Sequence, residues 1–472
     1  MDRTLLEKEP IHFASITAIA AMYREHTCDP TTVTQHFIDR INKLDVEYQS
    51  YATLTSDRAL SQANTLGTEL AEGKDRGPLH GIPMAVKDLF STNGIKTMGG
   101  TEVLSENIPS FDSTVVERLT DAGAILLGKL NLTEGAMGGY NPKRQVPKNP
   151  WDKSRWSGSS SSGSGVATAA GLCAASLGSD TGGSIRFPSA ACGVVGIKPT
   201  YGRVSRYGVL DLAESLDHVG PMARSVEDAA LILQAISGLD DKDKTTINSS
   251  NLNLANIRNH DLSGLSIGYA ASYAESDINS ETVSLVQSVL EVLEGAGASV
   301  TNIDFPHVDP YLPAWKTICS AEAYQVHKVF YPEQKDKYGP WFREWLQNGY
   351  MVSAGDYIEA SRIRMHCNGL VARAFENIDA FVCPTLVDFP REVDDSFSYG
   401  PMDDTRGTIF QRFTIPFDYN GYPSVTLPCG FSDSGMPASF QVVGKPLMEE
   451  LICRIANSYQ SFTTWHTSKP IE

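Results

Sequence analysis

The chain has 472 residues, of which 41% are hydrophobic and 20% charged, and its formal net charge is −17. That balance belongs to a soluble globular protein, long enough for two or three domains or for one large α/β unit. The acidic surplus, with no basic run to offset it, argues against nucleic acid as a partner, because backbone binding needs Lys and Arg facing the phosphates.

The amino terminus, Met1 to Phe13, mixes both charges and lacks the apolar core of a signal peptide. Residues 13–72 are expected to be helical, with Ile16, Ile19, Ala20 and Tyr23 forming an apolar stripe. Gly81-Ile82-Pro83 then turns into a short strand ending at Lys87. Thr114 to Glu117 has the capping-box pattern of a helix start, and Ala124 to Leu127 reads as a strand. The most apolar long run, Gly165 to Gly178, is short of the ~20 residues that span a bilayer, so it reads as a buried helix and no membrane partner is expected. Ser225 to Asp228 caps a helix running to Ser237. The strand Leu265 to Ala270, the helix Glu281 to Leu293 and the strand Ala298 to Ile303 repeat the alternation, which implies an α/β sheet covered on both faces.

Residues 310–370 are expected to be helical and carry many aromatics, among them Tyr311, Trp315, Tyr324, Trp341, Phe342, Trp345 and Tyr357. Helix packing accounts for most residues of this kind. The sharper reading is a lid whose aromatics wall one side of a substrate cleft. The eight cysteines are scattered and form no CxxC pair, which fits buried thiols in a reducing compartment and makes the cytoplasm the expected location. The histidines show no paired metal spacing, and the acids Asp403 and Asp404 read as a solvated turn, so no metal or other cofactor is expected.

The densest chemical signal is a serine-rich loop, Trp156 to Gly165, followed by Gly178-Ser-Asp-Thr-Gly-Gly-Ser-Ile-Arg-Phe-Pro188 and Gly193-Val-Val-Gly-Ile-Lys-Pro-Thr200. A phosphate-binding loop would end in Gly-Lys-Ser/Thr, whereas this one runs into Gly165-Val-Ala-Thr-Ala. In Asp180-Thr-Gly-Gly-Ser184, two glycines precede a serine, and glycines let successive N–H groups aim into one concavity. Such a nest can hold the oxyanion of a tetrahedral intermediate if a nucleophile stands beside it. Ser184 stands there. No histidine lies in a motif that makes it the base; His80 and His218 read as structural. A lysine kept neutral by burial is the alternative. Lowering it from ~10.4 to ~7–8 takes about 4 kcal/mol of differential destabilisation. Lys87, at the end of an apolar strand, is placed for that.

Taken together, Val86-Lys87-Asp88, the serine cluster, the Gly178–Arg186 loop and Gly196-Ile-Lys-Pro-Thr200 resemble the amidase-signature family. The resemblance is close from about 81 to 238, thins to 370, and returns in Pro384-Thr385, Phe413 to Phe417, Gly421 to Val425, Pro428 to Gly430 and Gln441 to Gly444. It implies a single α/β domain over 1–472 around a mixed, mostly parallel twisted sheet, with a helical segment to about 72, a signature core at about 75–240 and a variable lid at about 310–370. It also implies a Ser–cis-Ser–Lys triad that forms an acyl-enzyme. Residue by residue, Lys87 matches the base, Ser184 the nucleophile and Ser160 the bridging serine. The N–H groups of Thr181, Gly182, Gly183 and Ser184 match the oxyanion hole. Asp180 and Arg186 match residues that brace the loop, the arginine in some cases facing the substrate. Gly158-Ser159 stands where the family usually has Gly-Gly, which makes Ser159 the alternative bridge; Ser160 lies at the family's spacing, 24 residues before Ser184.

The resemblance further implies that Gly135-Ala-Met137-Gly138-Gly-Tyr140 lines the acyl side of the cleft and that the aromatics of 310–350 flank its entrance. The expected reaction is cleavage of the C–N bond of a small carboxamide, aromatic or apolar, through an acyl group on Ser184. Carbamates and esters share the tetrahedral intermediate and stay open as substrates. A glutamine-hydrolysing subunit of a tRNA-dependent amidotransferase is a further alternative, and a homodimer is an allowed assembly.

Overall fold

Runs such as Pro83-Met-Ala-Val-Lys87 and Ala175-Ser-Leu-Gly-Ser-Asp180 are buried at every position, the pattern of strands covered on both faces. A computed structural model, describing residues 10–402 and 409–470, assembles eleven strands among those residues into one sheet. They are β1 (Tyr51–Leu54), β2 (Pro83–Lys87), β3 (Ile125–Leu130), β4 (Ala175–Asp180), β5 (Val195–Lys198), β6 (His218–Ala223), β7 (Ser266–Tyr269), β8 (Ser299–Asn302), β9 (Ala380–Pro384), β10 (Ser424–Phe431) and β11 (Pro437–Gly444). Their spatial order is β1-β3-β2-β4-β6-β5-β10-β11-β9-β7-β8.

The sheet is mixed, as the resemblance implies. Parallel pairing is confined to the two wings, β3-β2-β4 and β9-β7-β8. The middle, from β4 through β6, β5, β10 and β11 to β9, is antiparallel throughout, and β1 pairs antiparallel with β3, so the sheet is not mostly parallel as expected; within the middle, β10 and β11 are joined by a short turn and not by a crossover helix. The helices Ser162–Ala169 and Arg186–Cys192 pack together on β4, β5, β10 and β11. The helices Val226–Ile236, Ser280–Gly295 and Glu449–Phe462 cover these middle strands from the other face. The result is one large α/β domain.

Most elements lie where the pattern places them. Ser225 caps the helix Val226–Ile236 by accepting the Asp228 N–H, as its sequence predicts. Three expectations need correction. The segment 13–72 is helical only in pieces, Ile16–Arg24, Pro30–Tyr48 and Ser56–Ala71, because β1 intervenes as an edge strand paired with β3. The helix expected from Thr114 has Ser113 at its N-cap with no side-chain cap, and Thr114 Oγ1 donates instead to Asp240 at 2.6 Å. The apolar run 165–178 is not one helix. It is a helix end and a strand, broken at Gly171, whose φ of +65° ends the helix before β4 begins. The charged amino terminus and the Asp403-Asp404 turn lie outside the described residues.

The segment 310–370 holds three helices, Pro313–His327, Pro340–Met351 and Ala354–Ala374. Most of its aromatics pack among themselves, such as Tyr324 with Tyr331 and Tyr338 with Phe342. Trp315, Trp341 and Phe342 also reach the glycine-rich loops at 182 and 135–139. All eight cysteines are free thiols, seven of them buried, and no helix among the described residues is long and apolar enough to cross a membrane.

Candidate active site

Because β2 and β4 are parallel neighbours with Val86 opposite Leu177, the end of β2 brings Lys87 beside Ser179. Lys87 is fully buried. Its Nζ lies 2.7 Å from Ser160 Oγ and 2.8 Å from Ser179 Oγ. Burial pulls the lysine down to about 7, against the opposing pull of the Asp217 and Asp180 charges. A lysine held at that value is largely uncharged a little above neutrality, which is what a general base requires.

Ser160 follows the cis peptide bond Ser159–Ser160, at the entrance to the buried helix Ser162–Ala169. Ser160 is the bridge candidate that meets Lys87, while Ser159 is half-buried on the other side of that bond. The other hydroxyls of the cluster have partners that explain them. Ser161 Oγ donates to Ser179 O at 3.1 Å, Ser164 Oγ donates to Leu177 O at 3.0 Å, and Tyr140 donates to Ser162 Oγ at 2.8 Å. They sew the helix onto β4.

From β4 the chain enters the turn 180–186. Asp180 is buried, and its carboxylate accepts the N–H groups of Gly183 at 2.7 Å, Ile185 at 3.0 Å and Arg186 at 3.2 Å. It also accepts Arg186 Nε at 3.0 Å and Nη2 at 2.9 Å. Burial alone would raise this carboxyl; the guanidinium beside it holds it below the usual carboxylate range. Two sequence expectations change here. The Gly183 N–H is committed to Asp180 and does not face an incoming oxyanion. Arg186 is wholly buried, donating also to Asp418 Oδ2 at 2.6 Å and Thr414 O at 3.0 Å, so it braces the turn and does not face a substrate.

The outer side of the turn is pinned by its carbonyls. Trp315 Nε1 donates to Thr181 O at 2.9 Å, and Thr414 Oγ1 donates to Gly182 O at 2.7 Å. Because a peptide is planar and trans, fixing the Thr181 carbonyl aims the Gly182 N–H the opposite way. Among the described residues, the N–H groups of Thr181, Gly182 and Ser184 have no protein acceptor. Gly183 has φ +127°, and a Cβ there would stand 2.6 Å from the Phe187 ring; a Cβ on Gly182 would stand 2.7 Å from Trp315. Ser184 is half-buried, and it is the one residue from Ser160 to Cys192 that is not fully buried. The turn opens only there.

The loop Gly135–Tyr140 borders the same region, since the Thr133 N–H just before it donates to Ser160 O at 3.4 Å. Met137, Gly138 and Gly139 are its half-buried members. A Cβ on Gly135 would stand 2.1 Å from the Phe342 ring, and one on Gly138 would stand 2.9 Å from Trp341. The helix Pro340–Met351 therefore lies directly on this loop.

Several contacts here are placed only by the fold. Ser179 shares Lys87 with Ser160; its place two residues after Leu177, the partner of Val86, is readable only once β2 and β4 are paired. Asp217 accepts the Thr181 hydroxyl at 2.5 Å and is pushed up to about 6 by burial. Trp315, Thr414 and Asp418 come from more than a hundred residues away. No local signal joins them to the turn.

The amidase family profile matches residues 32–453 of the chain. This chain belongs to the amidase family, in its amidase-signature form. Among curated relatives it is 36% identical to a glutamyl-tRNA(Gln) amidotransferase subunit of Thermosynechococcus vestitus, over 93% of this chain and 96% of that one. It is also 36% identical to the putative amidase AmiD of Mycobacterium bovis, over 98% and 97% of the two chains. Among solved structures, the native peptide amidase of Stenotrophomonas maltophilia superposes with a TM-score of 0.81 at 30% identity, covering 95% of this chain and 97% of that one. An amidase-signature hydrolase is thus the general identity of the molecule.

Proposed function

We propose that the protein is a serine amidase in which Ser184 attacks the carbonyl carbon of a small carboxamide. The observation that carries this reading is the fully buried Lys87, lowered to about 7 and 2.7 Å from Ser160, beneath a turn that opens only at Ser184. Neutral Lys87 takes the Ser160 proton while Ser160 takes that of Ser184. Ser184 Oγ bonds to the carbonyl carbon, and the N–H groups of Thr181, Gly182 and Ser184 hold the oxyanion. The proton returns by the same relay to the departing nitrogen, an amine or ammonia leaves, and water resolves the acyl-enzyme.

The substrate in this reading is aromatic or apolar. Trp315, Phe187 and Phe342 are buried behind the two glycine loops, and part-exposed Trp341 packs on Gly138 in the same loop as half-buried Met137; that apolar surface is what favours an aryl or apolar acyl group. Carbamates and esters would pass through the same intermediate. The likeness to the tRNA-dependent amidotransferase favours a second reading, in which glutamine is the amide and the ammonia is used by a partner chain.

A hydrolysis screen over aliphatic amides, anilides, carbamates, esters and glutamine separates these readings, with Ser184→Ala as the control. The amidase reading expects turnover of an aryl or apolar amide that Ser184→Ala removes by at least about 10³-fold. Turnover of glutamine alone would establish the second reading. Wild-type rates in Ser184→Ala would end both.

A further inference from the structure

Glu134 is a buried carboxyl with no place in the chemistry above. Both of its oxygens are in use, each tying together separate parts of the chain. Oε1 accepts Asn141 Nδ2 at 2.7 Å, and Oε2 accepts the Gly339 N–H at 2.8 Å. Asn141 Nδ2 also donates to Lys337 O at 2.8 Å. One carboxylate and one carboxamide therefore link the two ends of the loop 134–141 to the lid segment 337–339.

Two glycines allow this approach. A Cβ on Gly339 would stand 2.7 Å from Glu134 Oε2, and a Cβ on Gly135 would stand 2.1 Å from the Phe342 ring. Gly339 is also the N-cap of the twelve-residue helix Pro340–Met351. Burial pushes Glu134 up to about 7, against the opposing pull of its hydrogen bonds from Asn141 and Gly339, so what fixes it here is the geometry of those two bonds. The linked loop is strained. Ala136 holds φ +60°, a left-handed conformation that a residue with a Cβ adopts only when its surroundings dictate it.

We propose that Glu134 is a positioning residue that latches the lid turn at Gly339 onto the loop Gly135–Tyr140, and so sets the shape of the wall a substrate's acyl group meets beside Ser184. This rests on the amidase reading above. A glutamine at 134 has one carbonyl oxygen for two donors, so it can hold Asn141 or Gly339 but not both. None of the side-chain hydrogen bonds of Lys87 and Ser160, nor those of the 180–186 turn, involves Glu134; the nearest link is the Thr133 N–H, which donates to Ser160 O at 3.4 Å.

The test compares 4-nitrophenyl acetate and 4-nitrophenyl benzoate, which share a leaving group and differ only in acyl size. In Glu134→Gln, the KM for the benzoate should rise about tenfold with kcat within about twofold, while both constants for the acetate stay within about twofold. Asn141→Leu, which removes the companion donor, should shift the benzoate KM in the same direction. In both variants, hydrogen exchange of a peptide spanning 335–342 should quicken relative to wild type. Unchanged benzoate KM in both variants overturns the latch. So does an equal kcat loss on both esters, which would mark a general loss of structure. If wild type turns over neither ester in a Ser184-dependent way, it is the amidase reading that has failed, and the latch falls with it.

Discussion

Lys87 and Ser184 divide the work of the proposed reaction by their exposure. The lysine is wholly buried, with the hydroxyls of Ser160 and Ser179 at its amine among the described residues, and the serine is the sole opening in the buried chain between Ser160 and Cys192. Because burial lowers Lys87 to about 7, the rate should rise through a basic limb with a midpoint near pH 7 and level off above it. Lys87→Ala should lose that limb together with at least about 10³ in kcat, as read from kcat/KM across pH 5.5–9.5. A variant that kept the limb would move the base elsewhere. Chelation by EDTA should leave turnover unchanged, since every role in the proposal is filled by a side chain or a backbone N–H; loss of activity would demand a metal.

The turn 180–186 is the element that converts sequence into a site. Its two glycines were legible as a nest, and Ser184 as the residue after it. What the sequence could not reveal was the direction of each N–H. Asp180 turns the Gly183 donor inward, and only the fold shows that the carboxylate reaches it. The same holds for Arg186, whose second carboxylate partner, Asp418, lies 232 positions later. Gly183→Ala should be costly on two grounds, a φ of +127° and a Phe187 ring 2.6 Å from the new methyl. We expect a stability loss of about 1–3 kcal/mol and a fall in kcat of about 10²-fold, measured by denaturant unfolding and steady-state rates. A neutral substitution would show that the turn has room to yield. Ser160 was preferred to Ser159 as the bridge for its spacing from Ser184, and in the fold it is the Ser160 hydroxyl that meets Lys87.

At the scale of the whole molecule, the α/β class followed from alternating strands and helices, and most element positions followed from caps and apolar runs. β1 and the break at Gly171 were not legible. A four-residue edge strand owes its existence to β3, and an all-buried apolar run reads alike as helix or strand. The same burial that lowers Lys87 weakens the fold. Between pH 7 and the ordinary lysine value, the unfolded chain holds a proton on Lys87 that the folded chain does not, so this group destabilises most at pH 7 and below, and less as pH rises toward 10. Replacing it by Met should therefore raise stability more at pH 7 than at pH 10. The gap between variant and wild type should narrow by about 1.4 kcal/mol per pH unit over that window. A gap that does not change with pH would mean that Lys87 stays charged in the fold.

The most direct measurement follows covalent labelling of the protein by a small fluorophosphonate, using intact-mass and peptide mass spectrometry across pH 5.5–9. The account predicts one adduct, on the peptide carrying Ser184, formed at a rate that climbs with a midpoint near pH 7 and vanishes in Lys87→Ala. An adduct on another residue, or a Ser184 rate indifferent to both pH and Lys87, would contradict it.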